Sequence, residues 1–299
     1  MKVLFTPLNW GLGHATRSAA LADRYRKEGH EIVWGAYGEA LEWIQMNCPQ
    51  DQIHNLDDMD ISYGKSVWRS VVYQSSDIRK FITREQRKIK NLVNEIKPDQ
   101  IISDNRYGCF HPQVHSVIIT HQIRPRLPWF LRFLNPLRNI YFKSLLGEFN
   151  EIWVPDYSDR RLSGALSKPY SNQKVVFMGP LSRFSPLPKP SIDIPETLIL
   201  TSGPKGSRKF FVEDALKLRK GKTIVVGIKP FVEEKDVLFI EYPNQSDLAQ
   251  WLQFCSFLIS RPGYSTIMDR EALGAKGDVR WIPTPGQTEQ EYLATILMK

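Results

Sequence analysis

Short β-rich runs alternate with longer helical patterns along this chain, and the alternation is interrupted once by a cluster of prolines before it restarts. Strand patterns are read at 2–6, 31–35, 100–103, 116–120, 152–155 and 175–178, and helical patterns at 14–27, 38–46 and 77–96. Residues 127–149 read as helical with an interruption at Asn135-Pro136, and 51–75 give no clear pattern. The stretch 182–196 carries prolines at 186, 188, 190 and 195, which marks it as a connector. Beyond it come strand patterns at 197–200, 223–227, 237–241, 257–260 and 279–282, with helical ones at 208–218, 246–254, 265–273 and 288–297. Such alternation predicts βαβ units and mostly parallel sheets. The expected architecture is α/β: two doubly wound, Rossmann-like domains at 1–185 and 197–299, joined by a proline-rich linker at 186–196. Ligands of such domains sit at the carboxyl ends of the strands, so a site in the cleft between the domains is expected.

Length and composition agree with this. The 299 residues suffice for two domains that each bury a core. No stretch of eighteen uncharged apolar residues occurs, which argues against a spanning helix. The first residues lack a signal-peptide pattern, and Cys48, Cys109 and Cys255 form neither a disulfide framework nor a zinc pattern. A cytoplasmic location is therefore expected. Net charge is +8 and uneven: 25 Lys and Arg stand against 18 Asp and Glu in the first 188 residues. A basic first half points to an anionic partner there.

Three segments carry candidate chemistry. Gly11-Leu12-Gly13-His14-Ala15-Thr16-Arg17 follows the first strand. Its glycines let backbone approach a ligand, and the helix start offers free N–H groups to an anion. A dinucleotide fingerprint would need glycine at position 16 and an acid after the second strand; Thr16 and Trp34-Gly35-Ala36 stand there instead. The alternative is a tight turn with His14 as a helix cap. Ser202-Gly203-Pro204-Lys205-Gly206-Ser207 takes the equivalent place in the second half, with an ordinary loop as its alternative. The third segment is the most specific. Ser260-Arg261-Pro262-Gly263-Tyr264-Ser265-Thr266 leads to Asp269, and Pro283-Thr284-Pro285-Gly286-Gln287 leads to Gln290. Gly263, Ser265 and Thr266 at a helix start suit diphosphate oxygens, Asp269 suits vicinal ribose hydroxyls, and the glutamines suit a sugar.

These segments resemble glycosyltransferase family 28 and its relatives of GT-B fold, densely over 257–294 and thinly over 40–170. The glycine loop is similar to that of predicted glycosyltransferases within the group. The resemblance implies a hexosyltransferase that takes a UDP-sugar as co-substrate, without a tightly bound metal or cofactor. It implies that Gly263, Ser265 and Thr266 face the diphosphate, that Asp269 binds ribose, and that Gln287 and Gln290 contact the donor sugar. Gly11, Gly13, Ser202, Gly203, Ser207 and Arg261 fall in the matching donor loops, and His14 lies beside the reacting centre. Family members usually carry Glu where Asp269 stands, and they continue with a helix that crosses back to the first domain. Ending at Lys299 directly after the glutamine motif, this C-terminal domain is expected to be shorter than the family pattern.

Further candidates lie in the first half. Asp104 follows the strand at 100–103 and competes with His14 as general base, its alternative being a solvated acid capping the next turn. His121 has a similar address after the strand at 116–120. His111, His115 and His121 fit no metal-binding spacing, so no metal site is expected. Arg124, Arg126, Arg132, Arg138 and Lys143 interleave with Trp129, Phe130, Phe133, Tyr141 and Phe142. This segment suits an anionic membrane surface, at the inner face of the plasma membrane, and a lipid-linked or polysaccharide acceptor of the cell envelope. Its alternative is a core helix with inward aromatics and solvated arginines; nucleic acid is not expected. Rival functions are a UDP-sugar epimerase or hydrolase, and a non-catalytic nucleotide-sugar-binding module.

Overall fold

The computed structural model describes residues 1–9, 12–56, 67–203 and 205–298, without the side chains of 67–79 and 205. Gly11, one of the expected loop residues, lies outside the described residues. The chain divides into two compact units, Met1–Leu181 and Ser182–Lys299.

The first unit is a seven-stranded sheet in the order β3-β2-β1-β4-β5-β6-β7, with every pairing parallel. Its strands are β1 (Lys2–Pro7), β2 (Glu31–Ala36), β3 (Gln52–Asn55), β4 (Gln100–Asp104), β5 (His115–Ile119), β6 (Glu151–Val154) and β7 (Val175–Phe177). Its helices are α1 (Leu12–Lys27), α2 (Gly38–Asn47), α3 (Val67–Ile96) and α4 (Asn135–Gly147). β1 and β4 are buried along nearly their whole length, which explains their continuous apolar reading. Leu4, Val33 and Ile101 from the sheet pack with Ile89, Leu92, Val93 and Ile96 of α3. Spacings of three and four residues place that stripe of α3 on one face. α3 ends before Lys97-Pro98, where proline removes the donor and clashes with the preceding turn.

The second unit is a five-stranded parallel sheet in the order β10-β9-β8-β11-β12. Its strands are β8 (Thr197–Leu200), β9 (Thr223–Val226), β10 (Val237–Ile240), β11 (Phe257–Ser260) and β12 (Asp278–Trp281). Its helices are α5 (Lys205–Leu216), α6 (Gln245–Phe254), α7 (Tyr264–Leu273) and α8 (Thr288–Leu297). Ile199, Val225 and Ile259 pack against Phe211, Val212, Ala215 and Leu216 of α5. The proline-rich stretch runs along α6. Gln253 receives the Leu187 N–H at 2.9 Å and donates to its carbonyl at 2.9 Å, and Gln250 receives the Ser191 N–H at 2.6 Å.

Strand order reverses between β1 and β4 in the first unit and between β8 and β11 in the second. At such switch points the loops leave in opposite directions and open a crevice at the carboxyl edge.

Candidate active site

In the first unit the switch point brings His14 and Asp104 together. Parallel registration sets Pro7 of β1 beside Asp104 of β4, and Asp104 beside Ile119 of β5. α1 starts two residues before His14, so the imidazole stands in the first helical turn; the reading of His14 as a cap is corrected. Its Nδ1 lies 2.9 Å from Asp104 Oδ1. Asp104 is fully buried, which corrects the reading of a solvated loop acid. Two residues that the sequence did not single out complete the cluster. Arg17 Nε donates to Asp104 Oδ2 at 2.6 Å, and its Nη2 donates to Oδ1. Ser18 Oγ donates to Oδ2 at 3.2 Å. All three residues project from one stretch of α1, since positions three and four apart share a helix face.

Electrostatics follow from this packing. Burial alone would raise the Asp104 carboxyl, but the Arg17 cation and His14 hold it well below the usual carboxylate range. Burial pushes the His14 imidazole below its ordinary value; Asp104 opposes that shift, while Arg17 and His121 add to it. An unprotonated imidazole beside an ionised carboxylate can accept a proton at Nε2 while Nδ1–H donates to the carboxylate. His121, almost fully buried, belongs to the same locality. His111 and His115 do not: His111 Nδ1 accepts the Gln113 N–H, and His115 faces Glu151 at 3.6 Å. The turn after Asp104 is held by Asn105 in the left-handed region (φ 61°) and by Arg106. Buried Arg106 donates to Glu85 of α3 at 2.5 Å and to the Gly35 carbonyl at 3.2 Å.

In the second unit the switch point joins the other expected loops. Gly203 has φ +87°, a conformation that residues with a side chain rarely adopt, and a Cβ there would displace the Arg261 guanidinium, 2.3 Å away. Arg261 donates to the carbonyls of Ser202 at 2.9 Å and Ser207 at 3.1 Å, and to Ser207 Oγ at 3.0 Å. Its guanidinium thus ties the loop after β8 to the loop after β11. Gly263 precedes α7, whose first turn holds half-buried Ser265 and buried Thr266. Asp269, one turn further, accepts a hydrogen bond from Ser182 Oγ at 2.6 Å. Burial pushes its carboxyl up to about 6, with Ser182 and the nearby Arg183 opposing the shift. Neither Ser182 nor Arg183 was marked by the sequence, where both sit in a proline-rich stretch. Gln287 stands at the N-terminal boundary of α8 without a side-chain capping bond, and Gln290 Oε1 accepts the Thr284 N–H at 2.8 Å, so Gln290 also shapes its own loop.

The basic aromatic segment separates into two kinds of side chain. Trp129, Phe133, Leu137 and Ile140 are exposed by 78, 74, 65 and 68%, so they are not core residues. Phe142 turns inward, 5.8 Å from the Tyr107 ring. Arg124 is bound to the carbonyls of Lys168 and Pro169, and Arg138 to that of Pro125, whereas Arg132 and Lys143 are exposed. Among the described residues no helix is long and apolar enough to cross a membrane.

No protein-family model matches the sequence. An uncharacterized glycosyltransferase of Methanosarcina acetivorans is 26% identical, over 99% of this chain and 81% of the relative. Another from Methanosarcina mazei is 25% identical, over 99% and 83%. Solved structures share the fold at much lower identity. The glycotransferase of kitacinnamycin superposes with TM-score 0.67 at 12% identity, over 99% of this chain and 84% of its own. Arabidopsis thaliana UGT89C1 complexed with UDP-L-rhamnose gives 0.63 at 12%, over 99% and 82%. Phytolacca americana UGT2 complexed with UDP-2fluoro-glucose and pterostilbene gives 0.67 at 11%, over 99% and 83%.

Proposed function

We propose that this chain, which has the GT-B glycosyltransferase fold, moves a hexose from a UDP-sugar to an acceptor hydroxyl. The observation that carries the reading is the 2.9 Å approach of His14 Nδ1 to the buried Asp104 carboxylate. Asp104 orients the ring and favours the Nδ1–H tautomer. His14 Nε2 then takes the proton of the acceptor hydroxyl as its oxygen bonds to the anomeric carbon, and the bond from that carbon to UDP breaks. The second unit supplies the donor contacts. The N–H groups at the start of α7, with Ser265 and Thr266, meet the diphosphate and stabilise its charge as it departs. Asp269 takes the ribose hydroxyls, and Gln287 and Gln290 the sugar. Gly13, Ser202, Gly203 and Ser207 shape the loops, with Arg261 holding two of them together.

The family resemblance makes N-acetylglucosamine the first sugar to test. A lipid-linked acceptor at an anionic membrane surface is supported by exposed Trp129, Phe133, Leu137 and Ile140 flanked by Arg132 and Lys143.

The experiment pairs ligand binding with turnover. UDP is expected to raise the melting temperature more than ADP or GDP does, increasingly with concentration. His14→Ala is expected to lower transfer about 10²–10⁴-fold with UDP affinity nearly intact. Turnover within about threefold of the parent at saturating substrates would remove His14 as base. A released free sugar or an epimerised donor, with no transfer to any acceptor, would replace transfer by hydrolysis or epimerisation.

A further inference from the structure

Asp104 has three partners, and His14 is only one of them. Arg17 engages both carboxylate oxygens and is itself 4% exposed. Its Nη2 also lies 3.0 Å from His14 Nδ1. Oxygen Oδ1 is therefore shared between the guanidinium and the imidazole. A carboxylate that is already paired with a cation attracts a second positive charge less strongly than a free one does. Among the described residues, the charged or titratable groups that act on the His14 ring are Asp104 from β4, Arg17 from the next turn of α1, and His121 from beyond β5.

We propose that Arg17 is a positioning residue for the transfer reaction: it holds Asp104 against His14 Nδ1 and places a fixed cation beside the imidazole, setting the acid limit of turnover. The first half of this assignment rests on the geometry alone; the second rests also on His14 serving as the base. With the guanidinium in place, protonating His14 would set a second cation against Arg17 around a single anion. The ring stays neutral below its ordinary titration range, in agreement with its lowered proton affinity. The bidentate fork also fixes the carboxylate plane, which a lysine ammonium could not do.

The test is an NMR titration of His14 in the full chain without ligand, its resonance identified by its loss in H14Q. In R17Q the His14 midpoint is expected to rise by about 1–3 pH units, the usual effect of changing a neighbouring charge. R17Q leaves Asp104 as a lone buried anion, which endangers folding. The comparison of D104N with R17Q/D104N therefore serves as a second arm. There too the removal of Arg17 is expected to raise the midpoint, now with no carboxylate present. A midpoint unchanged within each pair would overturn the proposal and leave Arg17 a structural counter-ion. In active protein, the acid limb of kcat is expected to move upward with the NMR midpoint, each unit costing about tenfold in rate below it. A shifted midpoint with an unmoved acid limb would deny that His14 sets the limit. Absence of transfer in the parent with every UDP-sugar, alongside a shifted midpoint, would remove the transferase reading and leave the hold of Arg17 on His14 intact.

Discussion

Replacing Asp104 by asparagine keeps the shape of the side chain and removes its charge. Arg17, 4% exposed, would then lose the carboxylate that it grips with two donors, and the new amide would turn an N–H₂ toward Arg17, His14 or Ser18. Breaking a buried pair by removing one partner costs about 3–5 kcal/mol. The unit that carries it spans Met1–Leu181, a size at which each kcal/mol moves the melting temperature by about 2–4 °C. Asp104→Asn is therefore expected to melt roughly 6–20 °C lower, as the product of those ranges. The pH dependence has a definite sign. The folded carboxyl lies below its unfolded value, so its contribution is complete above about pH 4–5 and is lost progressively as the pH falls from there toward the depressed folded value. Near-ultraviolet circular dichroism on heating, from neutral pH down into acid, reads both effects. The difference between parent and variant should be full near neutrality and narrow in acid. A shift of under about 1 °C at neutral pH, or a gap that stays constant into acid, would refute the buried-pair argument.

Two other outcomes are expected. Asp269→Asn should weaken UDP-sugar binding by roughly one to two decades, the cost of a charged hydrogen bond. Because the Asp269 carboxyl is pushed up to about 6, parent affinity should rise as the pH increases through that value, whereas the variant should be flat; isothermal titration at several pH values checks both. The parent should cosediment with anionic vesicles more than with neutral ones, and less as salt is raised, while a Trp129→Ser, Phe133→Ser double variant should stay in the supernatant. Equal sedimentation of parent and double variant would remove this surface from membrane binding.

Local patterns along the chain determined much of this protein. Buried parallel strands read as apolar runs, helices as periodic stripes, and Pro98 and the glycines as ends and turns, because each signal depends on residues a few positions apart. The same local logic placed His14, Asp104, Ser202 and Arg261 at strand ends or helix starts, and Asp269 one turn into a helix. It gave no pattern over 51–75, where 57–66 lie outside the described residues, β3 is a four-residue edge strand, Gln52–Asn55, with Ile53 its single apolar residue, and α3 already begins at Val67. Over 127–149 the interruption read at Asn135-Pro136 is where a 3-10 turn at Trp129–Leu134 gives way to α4, but the division of the aromatics between solvent and core was not legible. What only the tertiary structure decided is which charges meet. Sequence treated His14 and Asp104 as rivals for one role, and gave Arg17, at the end of the first glycine segment, no role of its own. Parallel pairing of β1 with β4 brings residues 86 to 90 positions apart into one buried cluster. A carboxylate's proton affinity, and the role of the histidine beside it, depend on neighbours within a few ångströms, whatever their separation along the chain.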